Sequence, residues 1–170
     1  MRLIEEQFSL VKKFAVESCL IDGIKDPIDH VTCWVGLCTL LNKKKLTLKN
    51  VTEFAKSICP DIKLYNGKKA RELKEILLWA KTKNATDSYQ LHNQFTVIAP
   101  YSKDIGRISR ALWLWRAWRF EKYRCQISFH NTYYIQSLEQ IVVDSHTENE
   151  KGIGPEVSGE TSLTDENDEV

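Results

Sequence analysis

The first half of the chain alternates apolar and polar residues with the period of a helix. Apolar side chains recur at every third or fourth position in four successive segments, and polar residues fill the positions between them. These segments are residues 2–20, 27–42, 48–58 and 68–82. Asp26 and Thr47 are good N-cap residues, and Pro27 suits the first turn of the second helix. Because the segment 27–42 is almost uncharged, we expect it to be the central and most buried helix.

The second half of the chain changes period twice. Residues 91–99 alternate apolar and polar side chains, which predicts a short strand. A helix is expected to begin near residue 103, with Ser102 as its N-cap. Residues 121–129 alternate again and predict a second strand, whereas 132–143 fit a helix or a strand. The predicted fold class is mainly α, a compact helical domain with one or two short strands near 91–99 and 121–129. An α+β fold is the alternative if these regions pair into a small sheet.

Positive and negative charges are divided between the two ends of the chain. The whole chain has a formal net charge of +1. Residues 1–144 contain 23 Lys and Arg against 15 Asp and Glu, whereas residues 145–170 contain one Lys and eight acidic residues. The latter segment also lacks aromatic side chains and apolar periodicity. This predicts a basic globular domain over 1–144 and a disordered acidic tail over 145–170, which could occupy the basic surface of its own domain.

Cysteine usage and hydropathy indicate an intracellular protein. The chain has five widely spaced cysteines, and charged residues interrupt the apolar residues that follow Met1. We therefore expect no secretory signal, reduced thiols, and a cytoplasmic or nuclear location rather than secretion. No window of about 18 apolar residues occurs, so no transmembrane segment is expected.

No catalytic or cofactor-binding motif stands out. The glycines form no phosphate-binding loop, and the four histidines lie outside any recognisable nucleophile motif. His30, Cys33 and Cys38 have a spacing that suggests half of a zinc site. However, Cys33 and Cys38 lie about 140° apart on a helix and so do not share a face. We expect neither catalysis, nor a metal, nor a cofactor.

Two groups of basic residues point to a polyanion. The window 43–83 contains 12 Lys and Arg against four acidic residues. One group lies between the second and third predicted helices, and the other lies at the start of the fourth, where positive charge opposes the helix dipole. The candidate polyanion-binding residues are Lys43, Lys44, Lys45, Lys49, Lys68, Lys69, Arg71 and Lys74. Such side chains suit nucleic-acid phosphates or an anionic membrane surface, and a merely solvated lysine face is the simpler alternative.

The stretch 110–124 combines apolar area with fixed positive charge. It holds three of the five tryptophans and four arginines. One side of the predicted helix suits the core, and the other carries a second aromatic face that could stack bases, lie at a membrane interface or bind a protein partner. The candidate partner or stacking residues are Arg110, Trp113, Arg116, Arg119, Phe120 and Arg124. The alternative is a helix that a small domain wraps on both sides.

Together these patterns favour a binding protein over an enzyme. The leading hypothesis is a non-enzymatic intracellular assembly or adaptor protein that binds a polyanion, either RNA or ribonucleoprotein or an anionic membrane. It would bind itself or a protein partner through the Trp/Arg stretch. Viral matrix and nucleocapsid-associated proteins combine these properties, which is an analogy of properties and not a sequence match. The second hypothesis is a regulatory RNA-binding protein, and the third is an enzyme with an unrecognised site. A single site that uses both regions requires the start of the fourth helix to lie beside Arg116.

Overall fold

Six α-helices make up the part of the chain that the computed structural model describes, residues 5–82 and 88–120. They are α1 (Glu5–Ile21), α2 (Pro27–Leu41), α3 (Leu48–Ile58), α4 (Lys68–Trp79), α5 (Ser88–Ile98) and α6 (Ile105–Phe120). The mainly α fold class is thereby confirmed. The predicted strand at 121–129, the segment 132–143, the domain boundary after residue 144 and the acidic tail at 145–170 lie outside the described residues.

The N-terminal caps expected for α2 and α3 are present. The Asp26 carboxylate accepts a hydrogen bond from the Ile28 amide at 2.8 Å, and Pro27 occupies the first turn of α2. The Thr47 hydroxyl accepts a hydrogen bond from the Asn50 amide at 3.2 Å. Each bond satisfies an amide that the first helical turn leaves without a backbone acceptor, which explains why both helices begin where the sequence predicts.

Ser102 does not cap α6, contrary to the prediction. Its hydroxyl accepts a hydrogen bond from the Lys63 amide at 3.1 Å, and its own amide donates to the Lys63 carbonyl at 2.9 Å. These bonds flank an antiparallel bridge between Leu64 and Tyr101, the single β-type pairing among the described residues. Ser102 and Lys103 form a bend after the bridge, and α6 begins only after Asp104.

The strand predicted at 91–99 is wrong, because this segment forms helix α5. In a strand, Leu91, Phe95 and Val97 would share one face. Instead Leu91, His92 and Phe95 are buried together and Val97 is exposed, which is the pattern of a helix. So short a segment is compatible with both the helical and the strand period. The packing of α5 against both α4 and α6 selects the helix. The described residues contain no strand that would support the α+β alternative.

The most buried helix is α6 and not α2, which corrects the prediction from charge. From Arg107 to Trp118, only Trp113 keeps partial exposure. The helices α1, α2, α3 and α5 all pack against α6. The lack of charge in α2 does not indicate burial, because apolar side chains lie on all sides of this helix and only one side packs on the core. Conversely, α6 is buried despite its arginines because groups inside the chain bind their guanidinium groups.

Candidate polyanion-binding surface

The Trp/Arg stretch forms most of α6, and its first arginine binds α1. Arg110 is 1% exposed. Its Nε donates to the Ser18 hydroxyl at 2.8 Å, and its Nη2 donates to the Ser18 carbonyl at 2.8 Å. The same Nη2 lies 2.8 Å from a carboxylate oxygen of Asp22. Arg110 therefore fastens the central helix to the end of α1 and to the turn that follows it.

Arg116 is also buried, and it binds the C-terminal end of α4. Its Nη1 donates to the Ala80 carbonyl at 2.7 Å and to the Thr82 carbonyl at 3.4 Å. Its guanidinium carbon lies 4.7 Å from the centre of the Phe120 ring and 5.6 Å from that of Trp79. A cation beside the last carbonyls of a helix complements the helix dipole. Arg116 thus stacks on aromatic rings of its own chain.

The last turn of α6 lies against the C-terminal end of α2. Arg119 Nη2 donates to the Lys43 carbonyl at 2.6 Å, and Trp115 Nε1 donates to the same carbonyl at 3.0 Å. Arg119 Nη2 also lies 3.4 Å from the Leu41 carbonyl. The Arg119 guanidinium lies over the Trp115 ring, 5.2 Å from its centre. These contacts satisfy carbonyls at and just beyond the end of α2.

Trp113 belongs to an aromatic cluster between α5 and α6. Its ring meets the rings of Tyr89 and His92 edge-on, with centres 5.0 and 5.5 Å apart. Tyr89 and His92 stack on each other at 5.4 Å. Burial lowers the pKa of His92 to about 4, so its imidazole is neutral at pH 7. The aromatic face that looked available for a ligand is therefore largely occupied within the chain.

The predicted partner or stacking residues differ in their placement. Arg110 and Arg116 are buried, Trp113, Arg119 and Phe120 are half-buried, and Arg124 lies outside the described residues. The two buried arginines could reach a ligand only if α6 separated from its neighbours. A partner role for this stretch stays a prediction, and it can draw only on the half-buried side chains among those described.

The predicted polyanion-binding residues, in contrast, lie at the surface. All eight are exposed except Lys43, which is half-buried. Lys49 and Lys68 lie 3.9 and 3.6 Å from the carboxylates of Glu53 and Glu72, one helical turn further on. Exposed pairs at these distances are weak. The other six have no carboxylate partner within residues 5–82 and 88–120, so their charges are available to a ligand.

An open groove runs along α3 beside the first basic group, and we term it the α3 groove. Its volume is about 540 Å³, and its lining residues are Leu48, Lys49, Thr52, Glu53, Lys56 and Leu64. Lys49 belongs to the first basic group. Leu64 is followed by Tyr65, whose ring centre lies 4.9 Å from Nζ of Lys69 in the second group. Lys49 of the first group therefore lines the α3 groove, and Lys69 of the second group contacts the residue that follows Leu64 in the sequence.

Tyr65, Lys56 and Lys63 are surface residues that the sequence analysis did not single out. All three are exposed, and Tyr65 keeps 45% of its surface accessible. The available signal was their position inside the basic window 43–83. Tyr65 was overlooked because the aromatic residues are denser in the stretch 110–124. Tyr65 is an accessible aromatic side chain beside a lysine, and it lies outside that stretch.

The start of α4 does not lie beside Arg116. Arg116 binds carbonyls that follow the C-terminal end of α4, whereas Lys68 and Lys69 begin that helix. The 12 residues of α4 span about 18 Å. Lys69 Nζ instead donates to the Ala99 carbonyl at 3.2 Å, between α5 and α6. One site therefore cannot use both the second basic group and Arg116.

One acidic side chain near this surface is neutralised by its neighbour. Asp61 Oδ2 lies 2.5 Å from Nζ of Lys103. The hydrogen bond from Lys103 lowers the pKa of Asp61 to about 2 and raises the pKa of Lys103.

The residues that suggested half of a zinc site do not converge. Within residues 5–82 and 88–120, no three His, Cys, Asp or Glu side chains are placed to hold a metal ion together. His30 Nε2 lies 2.9 Å from the Ile24 carbonyl. Cys33 is a buried thiol that hydrogen-bonds with Cys19, which raises the pKa of Cys33 and lowers that of Cys19 to about 7. Cys19, Cys33, Cys38 and Cys59 are all free thiols.

None of the helices in the described part of the chain combines the length and the apolar character needed to cross a membrane. Comparison of the chain with protein-family models, with curated proteins and with solved structures finds no match.

Proposed function

We propose that the protein is a non-enzymatic adaptor that binds single-stranded RNA along the α3 groove. The observation that carries the proposal is the exposed Tyr65 ring beside Lys69, one residue after the end of a groove that Lys49 and Lys56 line. Proteins that bind single strands without strong sequence preference combine a cationic groove, which follows the phosphates, with aromatic side chains that stack on bases. The α3 groove and Tyr65 supply both parts.

The exposure of the lysines favours contacts with phosphates. Lys44, Lys45, Arg71 and Lys74 are exposed and have no carboxylate partner among the described residues. A phosphate that binds such a cation displaces no internal ion pair and releases condensed counterions. The groove itself also contains Glu53, which pairs weakly with Lys49. This acidic residue favours a ligand whose phosphates lie along the rim, with its bases directed towards Tyr65.

Binding rather than catalysis is proposed because the perturbed titratable groups do not line the α3 groove. His92 packs against aromatic rings, and Cys19 and Cys33 are buried beside each other. Among residues 5–82 and 88–120, the surface cations are not accompanied by the convergent acid, base and nucleophile that a reaction would need.

An assembly role in the cytoplasm or nucleus completes the proposal. Half-buried residues at the end of α6, Arg119 and Phe120, offer a limited surface for a protein partner or a second copy. RNA binding combined with self-association is the pair of properties that viral matrix and nucleocapsid-associated proteins share. Light scattering of the purified protein, with and without RNA, measures whether such assembly occurs.

The RNA-binding proposal is tested by fluorescence anisotropy with a labelled oligouridylate over a series of salt concentrations. Replacing Lys49 and Lys69 by Gln should weaken binding and reduce the slope of log K against log salt by about 0.7 for each lost phosphate contact. Tyr65→Ala should cost about 1–3 kcal/mol of binding free energy through lost stacking, whereas Tyr65→Phe should keep most of it.

The matched control is the double variant Lys13→Gln with Lys25→Gln, which removes the same charge from exposed positions on α1 and on the turn before α2. Equal weakening by both double variants would show that only net charge matters and would reject the groove. Vesicles that contain phosphatidylserine provide a parallel arm. Binding to these vesicles without binding to RNA would identify a membrane surface, and not RNA, as the ligand. Binding to neither would reject the proposal.

A further inference from the structure

The outer face of α2 is apolar and exposed. Ile28, Val31 and Val35 keep 73%, 51% and 55% of their surface accessible. Their spacing of three and four residues places them in one stripe along the helix. The opposite side of α2 packs on the core through residues such as Cys33 and Leu37. The stripe is therefore a second apolar face and not the edge of the first one.

The two threonines that flank this stripe make it more apolar. The Thr32 hydroxyl donates to the Ile28 carbonyl at 2.9 Å, and the Thr39 hydroxyl donates to the Val35 carbonyl at 3.0 Å. Because both donors are used within α2, the threonines offer little to a polar ligand. The residues of this face are Ile28, Val31, Thr32, Val35 and Thr39, and none of them is charged. We term this set the α2 stripe.

The end of α6 shows which part of the chain can reach the α2 stripe. Arg119 Nη2 lies 2.6 Å from the Lys43 carbonyl and 3.4 Å from the Leu41 carbonyl. The described part of α6 stops one residue later, at Phe120. The chain that follows therefore starts at the C-terminal end of α2, and the stripe runs from there back to Ile28. Along the helix axis this distance is about 20 Å.

The sequence after residue 120 has the composition and length to cover this distance. Tyr123, Cys125, Ile127 and Phe129 place an apolar side chain at every second position. Nine residues, 121–129, can span up to about 30 Å, and the residues up to 143 add a further apolar segment. The reach from the end of α6 therefore exceeds the length of the stripe.

We propose that residues 121–143 dock on the α2 stripe of the same chain, so that α2 is covered on both faces. A second copy is the competing occupant. A stable interface between subunits buries roughly 800 Å² on each partner, whereas three partly exposed aliphatic side chains offer a patch on the order of a few hundred Å². An area of that size suits a tethered segment, whose effective concentration at the stripe is high.

Cysteine cross-linking in the full chain tests this proposal directly. A Val35→Cys variant, in a background with Cys38→Ser, is treated with a short bis-maleimide that can join residue 35 to the natural Cys125. The control is Val97→Cys on α5 in the same background, because Val97 and Val35 have almost equal exposure, 53% and 55%. We expect a link between residues 35 and 125 in a monomeric band, identified by peptide mass spectrometry, and no comparable link from residue 97. A link found only in dimeric bands would assign the α2 stripe to a second copy, and equal linking from both positions would overturn the proposal.

Limited proteolysis provides a second readout that needs no new cysteine. Trypsin can cleave after Lys122 and Arg124. The double variant Val31→Asp with Val35→Asp should increase the rate of cleavage at these sites by about tenfold, since it removes the apolar contact that would protect them. Val97→Asp should leave the rate unchanged. Cleavage at the same high rate in the wild-type chain and in the double variant would show that the segment is not docked on α2. Neither experiment involves RNA, so the result is independent of the proposed function.

Discussion

Replacing Arg110 by Ala should strongly destabilise the fold while leaving the lysine surface intact. Arg110 is the contact through which the central helix holds the end of α1, and its side chain is 1% exposed. Three of its contacts, to the hydroxyl and carbonyl of Ser18 and to the carboxylate of Asp22, have lengths of 2.8 Å. The variant removes all three at once.

The magnitude follows from the groups that lose their partner. The Ser18 carbonyl and hydroxyl would remain in a buried environment, and each unsatisfied group costs about 1–3 kcal/mol. Asp22 is 27% exposed, so water can replace part of its lost ion pair. The total should be about 3–5 kcal/mol, the usual loss when one partner of a buried ion pair is removed. An Arg110→Met variant fills more of the space but still leaves Ser18 unsatisfied, so its loss should be smaller and still above about 1 kcal/mol.

Urea denaturation followed by tryptophan fluorescence measures this effect as a change in the free energy of unfolding. The slope of the unfolding free energy with urea concentration should stay the same, because unfolding exposes a similar amount of surface in the wild-type protein and in the variant. Lys44→Ala, an exposed control, should change the free energy by less than about 0.5 kcal/mol. A loss below about 1 kcal/mol for Arg110→Ala would refute the reasoning. A loss of RNA affinity without loss of stability would instead return Arg110 to the role of a ligand-binding residue.

Two further predictions concern close packing and pH. A Cβ atom on Gly36 would lie 2.8 Å from the Ser57 hydroxyl and 3.1 Å from the buried Phe54 ring. Gly36→Ala should therefore lower stability by about 1–3 kcal/mol in thermal denaturation. An unchanged melting temperature would mean that α2 and α3 pack less closely. His92 has a pKa lowered to about 4 by burial, from an ordinary value of 6.5, so the unfolded chain binds a proton before the folded chain does, and stability falls as the pH drops through this window. Between pH 7 and pH 5 the wild-type chain should lose about 2 kcal/mol more than a His92→Gln variant, and equal losses would contradict the buried, neutral imidazole.

The sequence predicted most helices well because their signals are local. Asp26 and Thr47 hydrogen-bond to amides two and three residues ahead, and the apolar period continues over several turns of each helix. The segment 91–99 lacked both advantages. It is short, and its alternation fits a strand until contact with α4 and α6 selects the helical face of Leu91 and Phe95. Such a contact is tertiary and leaves no mark in the segment itself.

The lysine surface was predictable, whereas the internal role of the arginines was not. Lysine-rich segments at helix ends are commonly solvated, and in the structure these lysines lie at the surface. The acceptors of the arginines are mainly backbone carbonyls, those of Ser18, Ala80 and Lys43. Every residue has a carbonyl, so no residue type in the sequence announces such a partner. Only the packing of α6 against α1, α2 and the end of α4 brings these acceptors together.

The contrast between the buried arginines of α6 and the exposed lysines follows from the chemistry of the two cations. A guanidinium group presents five donors in a plane, so Arg110 can bind the hydroxyl and carbonyl of Ser18 and the carboxylate of Asp22 simultaneously. An ammonium group is a compact, strongly hydrated charge, which is costly to bury and remains available at the surface. The number of basic residues in 1–144 therefore overstates the number of cations that a ligand meets, because Arg107 and Arg110 pair internally with carboxylates. Lysines set most of the potential at the surface. For the same reason, the salt dependence of binding should respond to Lys49 and Lys69, whereas the arginines of α6 should affect binding only through the stability of the helix that they hold in place.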